Sequence, residues 1–165
     1  MALITNMDGY IKKIREKIGQ DKFIHPAARI IIENEQGEFL FIHRTDNGRI
    51  GLPAGAFEEE EDIIACMKRE VKEETGLDLI NLSLIGISSD PEIETVNYPN
   101  GDVVQYFTIE FYTKQFSGKI QPMDFKEIIK AEFLSPDNIE RLPLNGQHTF
   151  ISLNHFKEKG LPLVN

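Results

Sequence analysis

Residues 51–79 read GLPAGAFEEEEDIIACMKREVKEETGLDL, and the side chains able to do chemistry are concentrated there. From Glu58 to Glu74 stand eight carboxylates (Glu58, Glu59, Glu60, Glu61, Asp62, Glu70, Glu73, Glu74) against three bases (Lys68, Arg69, Lys72), which is −5 of the net charge of −9. In a helix turning ~100° per residue, Glu70 and Glu74 lie ~40° apart and Glu73 ~60° to the other side of Glu70. Two carboxylates ~5 Å apart repel by ~3 kcal/mol at an effective dielectric of ~20, so such a face calls for a counter-charge. A hard divalent cation supplies one, and Mg²⁺ in particular binds through a few carboxylates together with substrate phosphates. On charge alone, a solvated acidic helix face with i,i+4 pairs to Lys and Arg is the readier explanation of the run.

The elements that would position these acids follow from the local pattern. Pro53 and Gly55 break any regular element. Asp62 is an N-cap or first-turn acid, after which Ile64, Met67 and Val71 recur at helical spacing, and Thr75-Gly76 ends the helix. Glu70 stands three residues from Met67 and Glu74 three from Val71, so the acidic face borders the buried stripe and is partly desolvated.

Gly55, Glu61, Arg69-Glu70, Val71, Lys72, Glu73-Glu74, Thr75, Gly76 and Leu77 agree in type and spacing with every fixed position of the Nudix box, the signature of the MutT-like pyrophosphohydrolases. Residues 55–77 therefore resemble that box closely, and the flanking segments resemble the family in the order of their elements. The resemblance implies an α/β Nudix fold, an α/β/α sandwich with a mixed central sheet and a loop–helix–loop metal site. It implies an enzyme using Mg²⁺ or Mn²⁺ to hydrolyse a nucleoside diphosphate linked to another moiety, releasing a nucleoside monophosphate and a phosphorylated product. Glu70 and Glu74 would be the principal metal ligands, Glu73 a further ligand or the group that positions water, and Glu61 and Arg69 a supporting ion pair. The backbone at Gly55 would approach metal or phosphate closely, where a residue without Cβ suits the site. Family members commonly carry two glycines before the box helix, a glycine just before its first glutamate and an aromatic ahead of the loop. This chain has Ala54-Gly55, Glu60-Glu61 and Ile50 there.

The 165 residues, 41% hydrophobic, fit one domain with an ordinary core. The single cysteine, Cys66, excludes a disulfide framework and a cysteine zinc cluster. No stretch approaches the ~20 apolar residues of a membrane span and the N-terminus lacks a basic signal-like region, so a cytoplasmic protein is expected. A pI near 5.0 argues against DNA binding through a phosphate backbone.

Along the rest of the chain, Ile11, Ile14 and Ile18 share one face of a basic N-terminal helix within residues 1–20. That helix packs against its own domain or a mate in a homodimer. Residues 27–33 and 38–43 read as strands of a hairpin joined by Asn34-Glu35-Gln36-Gly37. In the polar loop that follows, Arg44 and Arg49 either meet phosphate oxygens or face solvent. Residues 79–88 read as a strand with an irregular start, residues 90–100 as a loop, and 103–113 as a long alternating strand. In the loop before that strand, Tyr98 is a candidate to stack on a base or to cover the turn, and Asp102 to accept from sugar or base donors. The resemblance also implies an extra acid ahead of the strand at 131–134, for which Glu127 is the candidate and Asp124 the runner-up. Residues 144–159 read as a closing helix. The competing class is a Nudix-fold module that binds a nucleotide without hydrolysing it; retention of all four box glutamates favours the enzyme.

Overall fold

The computed structural model describes residues 9–45 and 48–165; Asp46 and Asn47 of the polar loop, and the start of the N-terminal helix assignment, lie outside them. In chain order the elements are α1 (Tyr10–Ile18), β1 (Phe23–Ile32), β2 (Phe39–Arg44), β3 (Ile50–Gly51), β4 (Ala54–Ala56), α2 (Ile63–Thr75), β5 (Asp78–Ser88), α3 (Pro91–Glu94), β6 (Thr95–Asn97), β7 (Val103–Ser117), β8 (Ile128–Leu134), a 3-10 helix (Pro136–Arg141), α4 (Leu144–Lys159) and β9 (Leu163–Val164).

The expected hairpin is not one. The Asn34–Gly37 turn closes, with the Asn34 amide donating to the Glu38 carbonyl at 2.9 Å. Only a single bridge, Glu33 to Phe39, follows it. Beyond that bridge the strands part: β1 lies between β4 and β7 in a mixed sheet of order β4-β1-β7-β5-β9, with β6 on β7, and β2 lies between β3 and β8 in a three-stranded antiparallel sheet. The physical reason is that both strands are buried on both faces, β1 from Ala27 to Ile32 and β2 from Phe39 to Ile42. Continuous apolar strands carry no alternation that would fix their partner.

Side chains that alternate along these strands fill two cores. Ile30, Ile32, Leu40 and Ile42 join Cys66, Met67 and Val71 of α2, whereas Ile31, Phe39 and Phe41 join Phe150 and Leu153 of α4. The sheets are therefore the middle layer between helices, as expected of an α/β/α sandwich. The α2 stripe differs by one position from the sequence reading: Ile64 is 38% exposed, while Ile63 packs on the core. Met67 and Val71 are buried as expected, and Glu74 and Thr75 are buried with them.

The long strand is longer than its alternation suggested, reaching Ser117 and pairing with β1 in parallel and β5 in antiparallel fashion. The segment read as a loop at 90–100 contains α3 and β6. Asp90 caps α3 by accepting the Glu92 amide at 2.9 Å. No helix among the described residues is long and apolar enough to cross a membrane.

Candidate active site

Two devices hold the box helix in place. Asp62 accepts the Ala65 amide at 2.8 Å as N-cap, and Gly76, at φ 81, closes the other end in the left-handed conformation with its amide on the Lys72 carbonyl. Ahead of the helix, β4 runs antiparallel to β1 with Gly55 opposite Ala28. This lays the backbone of residues 54–56 directly over the acidic face.

Closeness of that backbone to the acids defines the site. A Cβ on Gly55 would overlap the Glu70 carboxyl, so a side chain at 55 would force that carboxyl or β4 to shift. One residue earlier, the Ala54 amide donates to Glu74 Oε2 at 3.1 Å. Arg69 sits between the carboxylates. It forms a two-point contact with Glu61 (Nε to Oε2 3.0 Å, Nη2 to Oε1 2.8 Å) and gives its other arm to Glu70 at 2.7 Å and Glu73 at 3.4 Å. The expected Glu61–Arg69 pair is thus present, and the same guanidinium also bridges two candidate metal ligands.

The charges are unevenly compensated. Hydrogen bonding from Arg69 holds the Glu61 carboxyl below the usual carboxylate range. Burial pushes Glu70 up to about 7 against the pull of Arg69, with Glu73 and Glu127 adding to the rise. Burial also drives Glu74 well above its ordinary value, reinforced by Glu70 and Glu127 and opposed by Arg44 and the Ala54 amide. Glu73, whose side chain is 44% exposed, rises as well, first through burial and then through Asp124. Buried like charges hold protons in this way unless a cation arrives.

Residues from outside the box converge on the same place. The field of Glu127 reaches both Glu70 and Glu74. Asp124 instead accepts the amides of Lys126 and Glu127 at 3.1 and 3.3 Å and so shapes the loop. That loop is tied to the helix by the amides of Met123 and Asp124 on the Glu73 carbonyl and to Thr45 by the Glu127 carbonyl. Arg44 lies close enough to favour the charged forms of Glu74, Tyr98 and Tyr106. Arg49 is exposed.

Tyr98 is half-buried, its hydroxyl hydrogen-bonded to Tyr106 at 2.6 Å, a partner sequence reasoning missed. Asp102, expected to face sugar or base, is 4% exposed, with Oδ2 paired with Arg15 at 3.3 Å and accepting from the Asn100 side-chain amide at 2.9 Å. Through Oδ2 it serves the turn and α1. Also missed was an open cavity of about 540 Å³ beside Glu73, lined by Met123, Asp124, Phe125 and Lys126.

A glycine-backed loop laid over a helix that buries Glu74 and half-buries Glu70 on one face is the arrangement the box spacing implies. The sequence model described as NUDIX domain matches residues 23–152. The chain belongs to the Nudix family. With its box intact it is a Nudix pyrophosphohydrolase. It is 33% identical over 141 residues to the ADP-ribose pyrophosphatase of Methanocaldococcus jannaschii, covering 81% of this chain and 78% of that protein. It is 28% identical over 117 residues to the NAD-capped RNA hydrolase NudC of Vibrio vulnificus, covering 70% of this chain but only 40% of that protein. Among solved structures, a MutT protein from Methanosarcina mazei Go1 superposes with a TM-score of 0.63 at 23% identity, covering 84% of this chain and 99% of that one. An ADP-ribose pyrophosphatase from Streptococcus suis 89-1591 gives 0.60 at 21%, covering 85% and 97%. At these identities the structures attest the Nudix fold alone.

Proposed function

We propose that the protein hydrolyses, with a divalent cation, the pyrophosphate bond of a nucleoside diphosphate linked to another moiety, and that ADP-ribose is the first substrate to try. The observation that carries this reading is the buried Glu70–Glu74 pair under the Gly55 backbone. Both carboxyls hold protons at unusually high pH, and the nearby cationic groups offset their charge only in part. Oxygen donors that are desolvated and under-compensated suit Mg²⁺ or Mn²⁺; among the described residues no three of them are already gathered around one point, so a cation would draw them together. The substrate class is supported by the archaeal ADP-ribose pyrophosphatase, which shares a third of its aligned residues over four-fifths of this chain.

Glu70, Glu73 and Glu74 would hold the cation, with Glu127 contributing from its loop and the Gly55 backbone close by. When bound, it neutralises diphosphate oxygens and makes water more acidic. Glu61 fixes Arg69, and Arg69 aims Glu70. Glu73, the box glutamate most open to solvent, orients the attacking water, and Glu127 or Glu73 takes its proton at a carboxylate oxygen. The water oxygen bonds to phosphorus as the bridging anhydride bond breaks, giving a nucleoside monophosphate and a phosphorylated partner. Arg44 and Arg49 are suited to the diphosphate, and Tyr98 to the base. The reaction is that of a cytoplasmic metabolite enzyme, with no call for DNA or a membrane.

A phosphatase-coupled assay over ADP-ribose, nucleoside triphosphates, dinucleoside polyphosphates, nucleotide sugars and capped RNA, with and without Mg²⁺, tests the proposal. Metal-dependent cleavage of one class supports it. Silence across the panel, with nucleotide still raising the melting temperature, would point to the binding module instead.

A further inference from the structure

Helix α1 lies ahead of the Nudix match, which begins at residue 23, so the family's chemistry gives no reason for it. Its N-cap is Gly9, at φ 87, without a side-chain acceptor of its own. The Tyr10 amide donates instead to Glu58 Oε2 at 2.9 Å, 48 residues away. A Cβ on Gly9 would overlap that same carboxylate. Lys13 pairs with the neighbouring Glu59. A carboxylate there satisfies an open N–H and the helix dipole together.

Glu58 is also bonded inward. Its amide donates to Glu61 Oε1 at 2.9 Å, Glu61 grips Arg69, and Arg69 bonds Glu70. An unbroken series of hydrogen bonds therefore runs from the start of α1 to a candidate metal ligand. At the other end of the helix, Arg15 pairs with Asp102 at 3.3 Å, donates to the Val103 carbonyl at 3.2 Å and lies 4.7 Å over the Phe23 ring. Gln20 donates to the Asn100 carbonyl. The Arg15 and Asp102 side chains are 8% and 5% exposed, so salt screens this pair little. One short helix thus fastens two separate parts of the site, the loop at 56–61 and the turn at 98–102.

We propose that α1 is a strap over the active site, and that Glu58 and Arg15 are positioning residues for the reaction. The proposal rests on the function inferred above, but the coupling it describes is a property of the free protein. The loop at 56–61 contains a residue in the left-handed region, Glu60 at φ 65, is braced internally by the Glu58–Glu61 bond, and connects to α2 through Glu61 and Arg69. With the strap released, the loop gains freedom, Arg69 loses its fixed anchor, and Glu70 loses its direction.

The test uses the full chain as wild type, Glu58→Ala, Glu58→Gln and Arg15→Ala, with two readouts. The first is amide hydrogen exchange of Ala54, Phe57 and Glu58 without metal; the second is Mg²⁺-dependent ADP-ribose hydrolysis. Arg15→Ala touches no box residue, yet it should speed exchange at those three amides. Both alanine variants should lower kcat by about five- to tenfold, as expected when catalytic groups lose alignment. Glu58→Gln keeps an acceptor for the Tyr10 amide and should restore most of both. Faster exchange confined to residues 98–103 in Arg15→Ala, with unchanged kcat in both alanine variants, would overturn the strap. If the alanine variants are too unstable to assay, Arg15→Lys decides by loop exchange alone: faster exchange at Ala54, Phe57 and Glu58 supports the strap, and unchanged exchange there overturns it. A wild type that hydrolyses nothing but shows the remote exchange effect would retain the strap and remove the proposed function.

Discussion

The Glu70 carboxyl rests against the α-carbon of Gly55 so closely that any side chain at 55 would occupy its place. Gly55→Ala must then displace either the glutamate or β4. Displacement of a catalytic group by an ångström is enough to lose about 10²-fold in rate. We expect turnover to fall on that scale while circular dichroism still reports a folded protein.

Glu74 is buried at 4% exposure with its proton affinity raised by burial and by Glu70. A neutral amide there avoids the desolvation of a charge. Without metal at pH 8, Glu74→Gln should therefore melt above wild type, and Mg²⁺ should raise its melting temperature less. Calorimetry of both proteins with and without Mg²⁺ measures the difference.

The pH dependence of stability has a definite sign. Glu70 in the folded protein keeps its proton to about pH 7, while in the unfolded chain it loses it near the ordinary carboxylate value. Its contribution is full below the unfolded value and is lost as pH rises through 7, and Glu74 acts in the same direction. Glu61, held low, loses its contribution only in acid. His25, lowered by burial, opposes the trend only below its ordinary value of roughly 6.5. The metal-free protein should thus lose stability as pH rises from the ordinary carboxylate value to about 7, with His25 no longer opposing the loss above roughly 6.5. Saturating Mg²⁺ should flatten or reverse that slope in chemical denaturation.

Glu60 is the only non-glycine with positive φ among the described residues, at the position where the family commonly has glycine. A left-handed conformation costs a side-chain-bearing residue about 1–2 kcal/mol, offset in part by the greater freedom of glycine when unfolded. Glu60→Gly should stabilise the protein by up to about 1 kcal/mol, read as a higher urea midpoint with the same slope.

What could be read in the sequence was set by range. The box helix and β7 declared themselves through periods of 3.6 and 2, and Gly55, Glu61, Arg69, Glu70, Glu73 and Glu74 through fixed spacing. The steric reason for Gly55 and the unusual backbone at Glu60 both fall where the box pattern directs attention. The partners of β1 and β2 were not legible, because strands apolar on both faces fit many neighbours. Nor were α3 and β6, which are too short to establish a period. Asp102 looked like a ligand residue because nothing local announces Arg15, 87 positions earlier, as its partner. Glu58 stood only as one of eight acids in the run for the same reason: its partner is a backbone amide 48 residues away.

The central claim is that the buried Glu70–Glu74 face performs metal-dependent hydrolysis. Its most direct test is AMP release from ADP-ribose by wild type and Glu74→Gln, each with Mg²⁺ and with chelator. The account predicts release by wild type only with Mg²⁺, and a rate at least ~10²-fold lower in Glu74→Gln, the scale of losing one major electrostatic group. A Glu74→Gln variant that turns over at the wild-type rate, or wild-type release undiminished by chelator, would contradict it.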